Sequence, residues 1–291
     1  MKLFRSLFLL LVGIVSSALA APVGPEFYQF KIGALEAWAL KDGDITLPND
    51  GKTYGVGQPV ADVAALLQAA GQPTDTVKLS IQPLLVRTGG KLVLFDTGAG
   101  REPWAVAGRL PASLQAAGFK LTDVTDIFIS HGHPDHVGGL LDASGALTFP
   151  NASIHLAAAE WASIQKTPAQ VELARGIAAK VVPFQPGEQI APGVTAVNIA
   201  GHTPGHAGAE IASQGERLLY IGDTAHQSII SVQRPDWRIA FDVDDTTSRA
   251  SRRALLQKAA DENLRIYAVH FPFPGLGHVS HAGANFVWIP E

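Results

Sequence analysis

The sequence predicts an α/β fold in which two mixed β-sheets are flanked by helices. Three observations predict it. Short β-rich runs bounded by Gly, Asp or Thr recur along the chain, helical stretches fall between them, and several runs come in consecutive pairs. Pairing suits mixed sheets better than a purely parallel, doubly wound one. The 291 residues, 47% hydrophobic and 16% charged, bury a sizeable core in a single domain without cross-links.

The expected strands are Leu35–Leu40, Ile81–Arg87, Leu92–Phe95 and Ile127–Ile129, followed by Ser153–Leu156, Thr195–Ile199, Leu218–Ile221, Ile266–Val269 and Asn285–Ile289. Helices are expected over Val60–Ala70, Leu110–Ala117, Ala157–Gln165, Pro168–Ala179 and Thr246–Ala260. Asp244 and Asp245 are placed to cap the last of these. Residues 42–59, rich in Gly, Pro, Asp and Asn, read as a long loop. Within it Gly55-Val56-Gly57 lacks the third glycine and the preceding strand of a dinucleotide motif, and reads as a turn.

The first residues carry a different signal. Lys2 and Arg5 precede an apolar run from Leu7 to Val15, and Ala18-Leu19-Ala20 supplies a small-x-small site before Ala21. Residues 1–20 are therefore expected to be a signal peptide cleaved after Ala20. The run is too short for a membrane anchor, which needs roughly 17 to 25 apolar residues. The mature domain, residues 21–291, is then periplasmic or secreted and free of the membrane. Loss of Lys2 and Arg5 moves the net charge from −4 to −6. With no basic cluster, nucleic acid is not an expected partner.

There is no cysteine. Disulfides, thiolate metal sites and Cys nucleophiles are excluded, so any metal must be held by nitrogen and oxygen. The segment Ser130-His131-Gly132-His133-Pro134-Asp135-His136-Val137-Gly138-Gly139 follows the apolar run Asp126-Ile127-Phe128-Ile129. Three histidines and an aspartate thus crowd a short loop at a strand's carboxyl end, where α/β enzymes place their sites. Imidazole and carboxylate suit Zn²⁺ and metals of similar hardness. Four donors in one loop cannot converge on one ion in comfortable geometry, which points to two ions and to further ligands downstream. Three follow, each just after a strand: His202 in Gly201-His202-Thr203-Pro204-Gly205-His206, Asp223 in Gly222-Asp223-Thr224, and His270 after Arg265–Val269.

The run His-x-His-x-Asp-His at 131–136, with His202, Asp223, His270 and the Asp96-Thr97-Gly98 turn, resembles the metallo-β-lactamase superfamily from about Phe30 to Trp288. The resemblance implies an αβ/βα sandwich with a dimetal site at one edge of the sheets. It puts His131, His133 and His202 on one ion and Asp135, His136 and His270 on the other, with Asp223 bridging them. Asp96 is implied to orient a ligand histidine, although an Asp there also suits a turn cap. The ions are expected to be Zn²⁺, with Mn, Fe or Co as alternatives.

Within the superfamily, Asp223 stands where the β-lactamases proper carry Cys or Ser. A bridging Asp is shared by glyoxalase II-like thioesterases, N-acyl homoserine lactonases, ribonuclease Z-like nucleases and methyl parathion hydrolase-type enzymes. Export and charge disfavour the nucleases. Lys91–Gly98, His133–Leu140 and Phe273-Pro274-Gly275-Leu276-Gly277-His278 are most similar to the methyl parathion hydrolase group. Homoserine lactonases carry a carbonyl-polarising tyrosine three residues after the bridging Asp; here that position is His226. Trp104 and Trp161 are expected to line the substrate pocket with Phe271 and Phe273, which flank His270.

The implied activity is hydrolysis of hydrophobic esters or lactones by a hydroxide held between the ions, with side activity on organophosphate triesters. Asp135 would pass a proton to the leaving group. The alternatives are a glyoxalase II-like thioesterase, a β-lactamase-like amidohydrolase, or a non-catalytic metal-binding protein, the last disfavoured because all seven ligands are kept. The expected partner is a small-molecule ester or lactone, and a homodimer is compatible with the reading.

Overall fold

A computed structural model of the chain describes residues 26–291. The expected signal peptide, residues 1–20, lies outside the described residues. Two seven-stranded sheets face each other. In spatial order the first contains Phe27–Ile32, Leu35–Leu40, Leu84–Thr88, Lys91–Phe95, Asp126–Ile129, Ser153–Ala157 and Val181–Phe184. The second contains Gln189–Ala191, Val194–Asn198, Ala207–Ser213, Glu216–Tyr220, Arg265–Tyr267, Leu276–Ala282 and Asn285–Pro290. Both sheets are mixed and flanked by helices, as the sequence predicts.

Period-two alternation explains the layers. On the strand Lys91–Phe95, Val93 and Phe95 point between the sheets, where they meet Leu218, Tyr220 and Tyr267. Leu92 and Leu94 point outward beneath Leu114 and Ile164 of the flanking helices. The second sheet's outer face, with Leu219 and Ile266, is covered by Leu255 and Leu256 of the helix Asp245–Asp261. That helix starts at Asp244, whose carboxylate accepts from the Thr247 backbone N–H at 3.0 Å.

What positions the site is the direction of the central strands. Lys91–Phe95 pairs in parallel with Asp126–Ile129 in the first sheet, and Glu216–Tyr220 with Arg265–Tyr267 in the second. Parallel pairing brings carboxyl ends side by side, so Asp96, the 131–136 loop, Asp223 and His270 leave the sandwich along one edge.

Three expectations are corrected. Residues 42–59 are not one loop. Gly43–Pro48 pairs with Thr76–Ile81 as an antiparallel ribbon, and Tyr54–Val56 pairs with Arg238–Ile239. The single strand expected over Ile81–Arg87 is two, broken at Gln82-Pro83, because Pro83 has no N–H to donate. The helix expected over Pro168–Ala179 is a shorter helix, Val171–Ile177, between single 3₁₀ turns. Among the described residues no helix is long and apolar enough to cross a membrane.

Candidate metal centre

The seven expected ligands come together in two groups, His131, His133, His202 and Asp223 in one, Asp135, His136 and His270 in the other. In the first, His202 Nε2 lies 3.1 Å from His131 Nε2 and 3.0 Å from His133 Nδ1. In the second, His270 Nε2 lies 3.3 Å from His136 Nε2 and 3.3 Å from Asp135 Oδ2. Asp223 stands between the groups and turns one oxygen to each. Its Oδ2 is 3.7 Å from His131 Nε2 and 3.5 Å from His202 Nε2. Its Oδ1 is 3.2 Å from His136 Nε2 and 3.1 Å from His270 Nε2.

These residues fit divalent ions. The outer nitrogens of three histidines are engaged: His136 Nδ1 donates to Asp96 Oδ2 at 2.6 Å, His202 Nδ1 to Asp242 Oδ1 at 3.0 Å, and His270 Nδ1 to the Ser80 carbonyl at 2.7 Å. The inner nitrogens are then left as lone pairs facing one another, an arrangement that only a proton or a cation relieves. Asp223 Oδ1 is buried without a hydrogen-bond partner, which a cation between it and the histidines would satisfy.

Burial opposes the charge on His270, yet the carboxylates of Asp223 and Asp135 outweigh it and raise its pKa to about 10. Burial also opposes a charge on His136, which Asp223 and Asp96 likewise overcome, so its pKa is raised well above the usual value. Ion binding at neutral pH must therefore expel a proton from each ring. Titration calorimetry at pH 7 in buffers of different ionisation enthalpy is expected to show proton release on binding, and the affinity of this group should climb with pH until about 10. Binding heats that do not vary with the buffer would contradict this.

Asp96 is buried at the end of its strand in the left-handed region, with φ of 58°. Beyond His136 it accepts from Ser130 N at 2.7 Å, Ser130 Oγ at 2.7 Å and Tyr220 Oη at 2.6 Å. Three further residues hold the ligand loops and a fourth, Tyr54, packs beside them; none was singled out in the sequence. Glu160 accepts from Gly132 N at 2.7 Å, and from Thr203 Oγ1 and Gly205 N at 2.8 Å, clamping the two histidine loops together. His206 Nε2 accepts from the Asp223 N–H at 2.9 Å. Asp242 supports His202, and Tyr54 packs edge-on to His226 with ring centroids 6.5 Å apart. Only His206 lay in a segment the motifs had marked.

A cavity of about 500 Å³ opens onto the centre, lined by His133, Asp135, Asp223, His226 and His270 and by the apolar Ile45, Leu47, Leu79, Pro134, Ala240 and Phe241, with Trp104 at its rim. His226 is buried beside the first group, its Nε2 3.2 Å from Asp223 Oδ2. Neither of its ring nitrogens has a hydrogen-bond partner, and the Tyr54 hydroxyl is also unpartnered.

Of the aromatics expected in the pocket, only Trp104 lines it. Phe271 is buried in the second sheet's outer core, edge-on to Trp288 at 4.8 Å, because a neighbour of the inward-facing His270 must point away. Phe273 packs on the core between the sheets and borders a separate cleft. Trp161 packs on the first sheet's outer core. The rest of the apolar wall is Ile45, Leu47 and Leu79 of the ribbon Gly43–Pro48/Thr76–Ile81, whose first strand lies in the segment read as loop, together with Pro134, Ala240 and Phe241.

Comparison with known proteins agrees with this geometry. Residues 79–270 match the model of the metallo-beta-lactamase superfamily. A probable metallo-hydrolase of Mycobacterium tuberculosis is 27% identical over 241 residues, covering 67% of this chain and 76% of the relative. Among solved structures, AidC, a dizinc quorum-quenching lactonase in complex with the product N-hexanoyl-L-homoserine, superposes with a TM-score of 0.86 at 33% identity. That match covers 91% of this chain and 97% of AidC. The hydrolase AbOPH, of the beta lactamase superfamily, superposes with a TM-score of 0.84 at 29% identity, over the same shares of the two chains.

Proposed function

Because the chain belongs to the metallo-beta-lactamase superfamily, we propose that it is a dinuclear metal-dependent hydrolase of hydrophobic lactones and esters. The observation that carries the reading is Asp223, whose two oxygens address two separate ligand groups at the floor of one apolar cavity. Divalent ions, when bound, supply Lewis acidity and lower the pKa of water toward about 7. The chain's own groups do the rest. The aliphatic wall holds an acyl or aryl group and excludes bulk water. His226, whose ring nitrogens have no hydrogen-bond partner in the chain although Nε2 lies near Asp223, is available to donate to a substrate oxygen. Asp135, on the cavity floor and ionised at neutral pH, is placed to take the proton that the attacking water gives up and to hand it to the leaving oxygen.

A lactone is favoured over a charged thioester because the wall offers no cation to a charged substrate, and because AidC is a lactonase. Organophosphate triesters would be side substrates, and a β-lactam is disfavoured by the carboxylate at position 223.

Elemental analysis with a panel of lactones, aryl esters, a triester, a glutathione-type thioester and a β-lactam tests the reading. The expected result is two ions per chain and fastest turnover of apolar lactones or esters. Fewer than two ions after supplementation, or preference for the charged thioester, would overturn it.

Trp104 gives a finer check. Its ring stands 47% exposed at the rim, with Nε1 donating to Glu102 Oε2 at 2.9 Å. Losing some 50 Å² of apolar contact at about 25 cal/mol per Å² corresponds to roughly a tenfold rise in KM for long-chain substrates. Trp104→Ala should therefore raise that KM, leave kcat on a short ester unchanged and keep the metal content. Equal KM values for the long-chain substrates in the variant and the parent would remove Trp104 from the pocket.

A further inference from the structure

The two ligand groups are backed differently. Each contains one histidine whose outer nitrogen donates to a buried carboxylate, His136 to Asp96 and His202 to Asp242. Among the described residues Asp96 meets, besides His136, only the neutral donors of Ser130 and Tyr220. Asp242 meets a cation: Arg252 Nη2 donates to its Oδ2 at 2.7 Å, and both side chains are fully buried. The guanidinium is pinned from other sides as well, Nε donating to the Thr224 carbonyl at 2.8 Å and Nη1 to the Pro235 and Trp237 carbonyls at 2.9 and 3.1 Å.

A carboxylate behind an imidazole pushes electron density toward the inner nitrogen and strengthens it as a ligand. A guanidinium on the same carboxylate draws that density back, and because both side chains are buried the effect is little screened. The contact lengths agree, 2.6 Å from His136 to the uncompensated Asp96 and 3.0 Å from His202 to the compensated Asp242.

We infer that Asp242 and Arg252 form a tuning pair behind His202, in which Asp242 strengthens ion binding by the His131–His133–His202 group and Arg252 weakens it. The other group is outside their reach. The pair are positioning residues, since neither lines the cavity. The inference rests on the two-ion reading above, and its test is arranged so that the two fail separately.

The affinity of the first group is read by competition with a chromophoric chelator in a His270→Ala background, which cripples the second group. There Asp242→Asn should weaken Zn²⁺ binding by about 10- to 100-fold. Arg252→Gln should tighten it, by at least about tenfold for a charge removed several ångströms away in a medium of effective dielectric near 20. Arg252→Lys, which keeps the charge, should not tighten it. In a His133→Ala background, which leaves the second group, none of these should change the affinity and Asp96→Asn should lower it.

Opposite signs for Asp242→Asn and Arg252→Gln support the pair. If both weaken binding alike, they are scaffold only and the inference falls. It falls too if Arg252→Gln changes nothing, or if the effects appear equally in both backgrounds. Should Arg252→Gln not fold, Arg252→Met, which also removes the charge while keeping most of the side chain's volume, takes its place and is read in the same way in both backgrounds. A parent chain binding fewer than two ions would sink the dinuclear reading, while the comparison in the His270→Ala background would still report on the pair.

Discussion

Replacing Asp223 with alanine is expected to lower turnover by about 10⁴-fold, beyond the 10²–10³ that a single oxyanion donor is worth, and to strip metal from both ligand groups at once. No other ligand reaches both. Its oxygens lie 3.1 and 3.2 Å from the inner nitrogens of His270 and His136, and 3.5 and 3.7 Å from those of His202 and His131. It is also the charge that offsets burial most strongly at His136 and His270, so the rings that remain should lose protons more readily. Metal content and kcat/KM, measured on the same preparation, check this. A variant that keeps two ions and turns over within tenfold of the parent would show that Asp223 bridges nothing.

Replacing His226 should act differently. Its ring is buried at the cavity wall, nearly parallel to His270, and neither nitrogen makes a hydrogen bond within the chain. A buried donor left unpaired costs folding free energy of about 1–3 kcal/mol and persists where something outside the chain completes it. His226→Ala is expected to reduce kcat/KM by about 10²–10³, the range for a lost oxyanion donor, with both ions retained. The loss should be uneven, larger for lactones and carboxylic esters than for a triester whose phosphoryl oxygen sits elsewhere. Unchanged rates across all three classes would reduce His226 to a piece of wall.

The sequence made the ligands legible because their chemistry is local. Each sits within a few residues of a strand's carboxyl end, and a parallel sheet pair gathers such ends without further instruction. What supports the ligands was hidden because those contacts join distant segments. Tyr220 reaches Asp96 from 124 residues away, Asp242 reaches His202 from 40, and Glu160 reaches Gly132 from 28. The aromatics were misplaced for a local reason, since adjacency to His270 in sequence means the opposite face in a near-extended chain. The cavity wall was missed because Gly43, Asp44 and Pro48 disguise the alternation of Ile45 and Leu47.

That ribbon has a consequence for how the enzyme can change. Ile45, Leu47 and Leu79 face the cavity, while Asp44, Lys78 and Ser80 on the opposite face border the cleft behind it. None of the three apolar residues belongs to a segment that carries a ligand. On the function proposed above, substitution there would reshape which acyl groups are admitted and leave the reacting floor as inherited, so new substrate preferences would be within reach of single mutations that keep the old chemistry intact. Ser80 marks where that freedom stops. It faces the cleft rather than the cavity. Its carbonyl receives His270 and its hydroxyl the buried Lys41, so at that one position of the ribbon a change behind the wall also disturbs the support of the centre.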